Sequence, residues 1–244
     1  VTVDAVGNYQ MYKTEGINPS TQTNFCDLQD PQLLDFISKA ENIFFYGAGA
    51  DDSSSPQRIF EWLQPIGFSG GIEVKSDLYA AARASCGYGP GIVCILGTGS
   101  NSCVFDGSEI IEDIPSLGYI FSDEGGGVHL GKEIIRDYFY GNMPDKEKKL
   151  FEGLYTLNKS ILIEEVYRKH AGSRYIAAYA EFLGHIDGDW KNNLIKKSFR
   201  EFVSLRLIKY QSHLHLPLMF IGSIAYYHQA CLKEVLAEFD LSPT

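Results

Sequence analysis

Short apolar runs and helical patterns alternate along the first third of the chain. Residues 1–15 read as a β-hairpin that turns at Gly7-Asn8. A buried strand at 42–50 and a short strand at 71–77 are predicted after it. Three helices are predicted as well: 30–40 with Asp30 as its N-cap, 53–67 capped by Ser55 before Pro56, and 78–87 closed by Gly87. This order of elements predicts a largely parallel sheet flanked by helices.

A second set of strands begins after Tyr88-Gly-Pro-Gly91, which is the best candidate for a domain boundary. Strands are predicted at 91–96 and 103–105, a mostly helical pattern covers about 145–212, and a strand, turn and helix close the chain. We therefore predict an α/β fold with one domain at 1–88 and a second at 89–244, which carries the helical insertion.

Composition narrows the class of protein. The chain has 244 residues, 45% of them apolar, and a net charge of −10, so no basic surface for a nucleic acid is expected. No apolar stretch is long enough to span a membrane and no export signal is apparent. The five cysteines are scattered without a CxxC pair. We expect reduced thiols in a cytoplasmic protein with neither a membrane nor a nucleic-acid partner.

The sequence "GTGSN", residues 97–101, interrupts two apolar runs. It could be a plain hairpin turn. It could also be a nest of backbone N–H groups for an anion, since glycine tolerates positive φ and lets a phosphate approach closely. The segment matches neither the dinucleotide-binding nor the P-loop pattern.

A second glycine-rich segment, "SDEGGG" at 122–127, opens a predicted helix. Asp123 and Glu124 could be capping carboxylates, or acceptors for sugar hydroxyls. Three consecutive glycines are costly for a cap alone, so a ligand or another backbone is expected to come close.

Two strand ends offer further candidates. Asp77 lies between a strand and a helix, as an N-cap or as a general base at the carboxyl end of a parallel strand. Gly222-Ser223 follows the last strand and is either a packing turn or a nucleotide contact.

The order of these pieces resembles the BadF/BadG/BcrA/BcrD ATPase and N-acetylglucosamine kinase family of the actin/hexokinase superfamily. The motifs that carry the resemblance are "TEGINP", "SDLYAAARA", "GTGSNS", "LGYIFSDEGGGVHLGKEII" and "FIGSIAYY". The resemblance implies two ribonuclease-H-like domains with a central cleft, and transfer of phosphate from ATP with Mg²⁺ to the 6-hydroxyl of an amino sugar, most specifically N-acetylglucosamine.

The resemblance also implies roles for individual residues. Asp77 would be the catalytic base, and no residue of the chain is predicted as a direct metal ligand. The implied substrate-binding residues are Asn18, Thr98, Asn101 and Asp123. The implied nucleotide-binding residues are Gly97, Thr98, Gly99, Ser100, Gly222 and Ser223. A homodimer through the helical segment is a family expectation.

The sequence departs from the family pattern at its start. The family opens with a strand and a phosphate loop like "DGGGTKT", which would precede Val1, so the first strand of the fold is missing here and we expect the natural protein to carry it. Two alternatives stay open: an ATPase of the BadF type that activates a dehydratase, and a non-catalytic sugar-binding protein on the same fold.

Overall fold

A computed structural model describes residues 1–12, 17–19, 30–50, 53–168 and 172–244. The chain divides into two compact units, Val1–Ala80 and Ala81–Thr244, each with its own sheets and helices. Both units mix helices and strands, as the predicted α/β class requires. The predicted domains, 1–88 and 89–244, stay predictions. Within the described part of the chain, no helix combines the length and apolar character needed to cross a membrane.

The first unit begins with the predicted hairpin. Strands β1 (Thr2–Val3) and β2 (Tyr9–Gln10) pair antiparallel, so the hairpin is confirmed with shorter strands than the pattern indicated. The Asp4 carboxylate closes the turn by accepting the backbone N–H groups of Val6 and Asn8 at 3.0 and 2.9 Å.

The rest of the first unit is a parallel strand pair with helices. Strand β3 pairs with β4 in parallel, and Ile59, Leu63 and Phe68 form a small core beside the pair. The elements are α1 (Pro31–Lys39), β3 (Asn42–Gly47), α2 (Ser55–Leu63), β4 (Gly71–Ser76) and α3 (Asp77–Cys86), the last of which continues into the second unit.

Two details of this unit correct the sequence prediction. Strand β3 is not buried: its residues alternate in exposure, with Phe44 64% and Tyr46 43% exposed. Asp30 caps α1 as predicted, accepting from the N–H groups of Gln32 and Leu33, but Ser55 is the first residue of α2 rather than its cap.

The second unit is built on a four-stranded mixed sheet in the order β7-β6-β5-β8. Strand β5 pairs antiparallel with β6 and parallel with β8, and β6 pairs antiparallel with β7. The parallel arrangement predicted for the first strands therefore does not extend through this sheet. Its strands are β5 (Gly91–Leu96), β6 (Ser100–Phe105), β7 (Ile110–Asp113) and β8 (Leu218–Ile221).

Helices cover this sheet and enclose a large core, which includes the fully buried Phe151, Phe182, Phe199 and Phe202. The predicted helical character of 145–212 is present as α-helices joined by short 3₁₀ and π segments. The helices of this unit after α3 are α4 (Gly118–Phe121), α5 (Gly127–Tyr140), α6 (Asp145–Leu154), α7 (Lys159–Ile163), α8 (Gly172–Ala178), α9 (Asp189–Leu205), α10 (Ser223–Tyr227) and α11 (Gln229–Ala237).

Close packing of α5 on α8 depends on Gly131. A Cβ atom at this position would overlap the backbone carbonyl of Ile176. We predict that Gly131→Ala lowers the free energy of unfolding by about 1–3 kcal/mol, the usual cost of overpacking. Gly153→Ala, in helix α6 where a Cβ meets nothing within 4 Å, is the matched control. It should be neutral or stabilising by up to ~1 kcal/mol. Urea unfolding checks both, and equal effects of the two substitutions would contradict the prediction.

Candidate functional site

The turn between β5 and β6, Gly97–Gly99, packs directly on the first residues of helix α5. Within the turn, the Gly97 N–H donates to the Gly99 carbonyl at 3.0 Å. From the helix, the N–H groups of Gly127 and Val128 donate to the carbonyls of Gly97 and Thr98, both at 2.8 Å. These donors belong to the first turn of α5, which has no partner for them inside the helix. The turn thus caps the helix through its own backbone.

Glycines make this contact possible. A Cβ on Gly126 would lie 2.6 Å from the Gly99 carbonyl group, and a Cβ on Gly99 would lie 2.6 Å from Oδ1 of Asp123. Side chains at these positions would therefore separate the two segments. We expected a ligand or another backbone to lie close to the three glycines, and the structure shows that the backbone of the Gly97–Gly99 turn lies there.

The direction of these bonds leaves donors on the other side of the turn. In a planar trans peptide unit the N–H points away from the C=O. Because the carbonyls of Gly97 and Thr98 point at α5, the N–H groups of Thr98 and Gly99 point away from it. Neither N–H has an acceptor among the residues that the structure describes. Two unpaired N–H groups on adjacent residues form a nest suited to an anion.

A cleft of about 720 Å³ opens beside this turn, entirely within the second unit. Its size is that of a small-molecule site. Three of the sequence-predicted nucleotide residues line it, namely Gly97, Thr98 and Ser223. The other lining residues were not predicted: Gly127, Arg174, Ala177, Ala178, Ala180, Glu181, Gly184, Lys191, Ile224, Tyr227 and His228.

The remaining predicted nucleotide residues lie next to the cleft without lining it. Gly222 has φ +110°, and a Cβ there would overlap the carbonyl of Leu96, so this glycine fits α10 against the end of β5. Gly99 packs on Asp123 and Gly126. The Ser100 Oγ is buried and has no hydrogen-bond partner within the described ranges. An unpaired buried hydroxyl costs roughly 1–3 kcal/mol, which a bound polar ligand could offset.

Asp123 connects the two glycine segments. Its side chain is 7% exposed, and its Oδ1 accepts the Ser100 N–H at 3.1 Å. Its φ of +75° is a conformation that aspartate adopts more readily than most residues. Nearby in sequence, Asn101 is half-buried and its Oδ1 accepts the Ser102 N–H at 2.9 Å. Asp123 therefore has a structural task that leaves its second carboxylate oxygen available.

Asn18 and Asp77 belong to the first unit. Asn18 is half-buried, in a short described stretch with Ile17 and Pro19. Asp77 is exposed and is the first residue of α3, where its Oδ1 accepts the N–H of Leu78 at 2.9 Å. This contact fits the capping interpretation, and the exposed carboxylate is also compatible with a general base.

A series of hydrogen-bonded polar side chains supports the Gly125–Gly127 segment. The Gly125 N–H donates to the Ser198 Oγ at 3.2 Å, and that hydroxyl meets His129 Nδ1 at 2.7 Å. The other ring nitrogen lies 3.2 Å from a carboxylate oxygen of Glu201. Burial lowers the pKa of His129 and outweighs the opposing effect of Glu201. A neutral ring can donate to Glu201 and accept from Ser198, so every member of the chain is satisfied.

Arg206 connects the same segment to the residues just after β7. It is 3% exposed, its Nη1 and Nη2 donate to the carbonyls of Ile114 and Pro115 at 3.0 and 3.3 Å, and its Nε lies 3.7 Å from Glu124. Glu124 is therefore paired with a buried cation, which favours a structural role over sugar binding.

One end of the cleft carries a cation and a histidine. Lys191 Nζ donates to the carbonyl of Ile186 at 2.8 Å and pairs with Asp187 at 3.3 Å. Burial, with a smaller contribution from Lys191, lowers the pKa of His228 to about 4. His228 is accordingly neutral at pH 7.

Sequence reasoning missed the cleft residues outside the turns for an identifiable reason. Arg174, Glu181 and Lys191 lie in helical segments far from the motifs in sequence, and the fold brings them to the turn. Tyr227 and His228 had a weak signal, because they lie one helical turn beyond Ser223.

Three known proteins are similar to this chain in sequence or in structure. A solved structure described as a "putative N-acetylglucosamine kinase", from Porphyromonas gingivalis, is 36% identical, with a TM-score of 0.83 over 94% of this chain and 83% of that one. The N-acetylmuramic acid/N-acetylglucosamine kinase of Clostridium acetobutylicum is 26% identical over 170 residues, 66% of this chain. This match spans only 56% of the length of that curated relative.

A third protein, described as a "putative N-acetylglucosamine kinase" of Chromobacterium violaceum, shares the fold. It is 15% identical, with a TM-score of 0.53 over 79% of this chain and 69% of that one. No family model matches the chain.

The lowered pKa of His228 predicts a pH-dependent stability. The unfolded chain, with an ordinary histidine pKa of 6.5, binds more protons than the native state between pH 6.5 and about 4. The contribution of His228 to the free energy of unfolding therefore increases as the pH rises across this window, and it is lost as the pH falls through the window. We predict that His228→Gln reduces this slope, measured by urea unfolding at pH 4.5, 5.5 and 7.

Lys191→Met provides a second variant for the same measurement. It removes the smaller cause of the shift, so the native pKa of His228 should rise and the slope should fall, though less than in His228→Gln. Parallel stability curves for the wild type and His228→Gln would contradict the prediction.

Proposed function

Because the chain belongs to the N-acetylglucosamine kinase family, we propose that it transfers the γ-phosphoryl group of ATP to the 6-hydroxyl of an amino sugar. N-acetylglucosamine is the first candidate for this sugar. The observation that carries the proposal is the Gly97–Gly99 turn. Its carbonyls are bound to α5, its Thr98 and Gly99 N–H groups have no acceptor in the described chain, and it opens on a cleft of nucleotide size.

The nucleotide would lie in this cleft with its phosphates at Gly97 and Thr98. Backbone N–H groups and the Thr98 hydroxyl bind phosphate oxygens well, and Ser223 adds a second hydroxyl from α10. Gly99, Ser100 and Gly222 would contribute by shaping the turn and the helix start. The unpaired Ser100 Oγ supports a polar ligand nearby.

The sugar would be bound by side chains that form hydrogen bonds with hydroxyl groups. Asp123 has one oxygen engaged by Ser100, which leaves the other to accept a sugar hydroxyl in a charge-assisted hydrogen bond. Asn101, Thr98 and Asn18 would supply amide and hydroxyl groups, which can both donate and accept.

Asp77 would act as the general base. The sugar O6 attacks the γ-phosphorus, the bond to the β–γ bridging oxygen breaks, ADP leaves, and the O6 proton passes to the Asp77 carboxylate. A positioned base of this kind contributes typically ~10²–10⁴-fold to the rate.

Magnesium enters this chemistry with the nucleotide. No group of three or more His, Cys, Asp or Glu side chains that could hold a metal occurs among the described residues, and a nest of N–H groups suits phosphate rather than a cation. Mg²⁺ would be held through the phosphate oxygens, where it neutralises their charge.

The alternative of a dehydratase-activating ATPase is disfavoured by the cysteines near the turn. Cys94 and Cys103 are fully buried on the neighbouring strands β5 and β6. Burial raises the pKa of Cys94 well above its ordinary value and that of Cys103 to about 12. Cluster ligands are thiolates, so these two residues suit a core and not an iron–sulfur site. Cys26 lies outside the described residues. A homodimer and a cytoplasmic location stay predictions.

The test of the function is ADP release by the full-length protein with Mg²⁺-ATP over a panel of hexoses and amino sugars. Release that depends on an N-acetylated amino sugar supports the proposal. Release without sugar would indicate the activator ATPase. Sugar binding without any turnover would indicate a binding protein.

We predict that Asp77→Asn lowers kcat/KM for the sugar by at least ~10²-fold, because the amide cannot take the O6 proton. The amide oxygen can still accept the Leu78 N–H, so folding should be retained. Asp35→Asn is the matched control, since Asp35 is an exposed carboxylate of the first unit paired with Lys39. Full activity of Asp77→Asn would exclude Asp77 as the base.

We predict that Asp123→Asn raises KM for the sugar by roughly 10–100-fold, the value of one charge-assisted hydrogen bond, while KM for ATP changes little. Asparagine tolerates the positive φ and keeps an oxygen for the Ser100 N–H. Asp113→Asn, at an exposed carboxylate of β7, serves as control. Equal losses for sugar and ATP would argue that Asp123 supports the turn and does not bind sugar.

A further inference from the structure

Tyr227 is a large aromatic side chain left open inside the cleft. It is 75% exposed and lines the cleft wall, whereas its neighbour Tyr226 is 69% exposed and lies outside the lining. Single exposed aromatic residues are common on protein surfaces, so exposure alone indicates no site. The position of Tyr227 relative to the Gly97–Gly99 turn is what distinguishes it.

Helix α10 runs from the turn along the cleft. Gly222 fits its start against the Leu96 carbonyl at the end of β5, and Ser223 is the first lining residue. Ser223 and Tyr227, the first and last residues of α10, both line the cleft, and their i, i+4 spacing places them on one helix face. Tyr227 is thus about 6 Å along the helix axis beyond the residue whose hydroxyl is assigned to the phosphates.

The Tyr227 ring has open space beside it, since the residue is 75% exposed. The rings of Tyr226 and Tyr227 meet edge to face, with centroids 5.2 Å apart and planes at 79°. In such a pair at least one face of the Tyr227 ring stays uncovered by its neighbour. Its hydroxyl has no hydrogen-bond partner within the ranges that the structure describes.

We propose that Tyr227 binds the nucleobase of ATP by stacking its ring on the base. The inference rests on the proposed function, since it takes the phosphates to lie at Gly97 and Thr98. A nucleotide held there extends its base along the cleft, and an open aromatic ring one turn away offers the base a flat apolar surface. Stacking uses the face of the base, so Tyr227 contributes affinity without reading the base edge.

The experiment measures the Kd of Mg²⁺-ATP and of Mg²⁺-tripolyphosphate, which has phosphates but no base, with the full-length protein. Tyr227→Ala should weaken ATP binding by roughly 5–150-fold, the range for loss of one base–aromatic stack. Tripolyphosphate binding should not change. Tyr227→Phe should bind ATP like the wild type, because the ring alone stacks.

Tyr140→Ala is the matched control, with the same side chain and a similar exposure of 77% at the end of α5, outside the cleft lining. An ATP affinity of Tyr227→Ala that equals that of Tyr140→Ala would overturn the proposal. So would equal losses for ATP and tripolyphosphate, which would indicate a disturbed phosphate site. A wild type that binds neither compound would overturn the nucleotide function itself, which separates the two failures.

Discussion

The contact between two glycine segments is the constraint on which the candidate site depends. Gly97–Gly99 and Gly125–Gly127 meet backbone to backbone, and a single Cβ on Gly126 would come within 2.6 Å of the Gly99 carbonyl. The contact does two things at once. It satisfies the first N–H groups of α5 with the turn carbonyls, and it turns the opposite N–H groups of the same peptide units away from the helix. Hydrogen-bonded peptide groups polarise one another, so the partial positive charge of the helix start is passed on to the turn.

This arrangement explains which parts of the site could be predicted from the sequence. Glycine is required where backbones touch or φ is positive, so the roles of Gly125, Gly126 and Gly222 leave a local trace in the sequence. The same holds for the Asp30 cap of α1 and for the hairpin turn at Gly7, which has a φ of +89°, because each needs a specific residue at one place. Physical constraints that act within a few residues are legible in a sequence.

Features that depend on distant segments could not be predicted in this way. The continuous apolar run of β3 suggested burial, yet Phe44 and Tyr46 are exposed, because burial is decided by neighbouring elements and not by the strand itself. Arg206 looked like an ordinary charged residue and is 3% exposed, paired with Glu124 across 82 residues of sequence. The cleft wall at Arg174, Glu181 and Lys191 is assembled by the helical segment, whose local pattern indicates only helix.

The net charge of the chain and the local charges of the cleft act on a ligand at different distances. A net charge of −10 opposes an anionic ligand at long range, but salt screens that field beyond about 10 Å. Within the cleft, the two unpaired N–H groups of the turn act at contact distance, whereas the cations Arg174 and Lys191 are offset by Glu181 in the lining and by Asp187, which pairs with Lys191. The local attraction for a phosphate therefore comes mainly from the N–H groups of the turn. An acidic protein can hold ATP on this basis, and its affinity should depend on the geometry of the turn far more than on the overall charge.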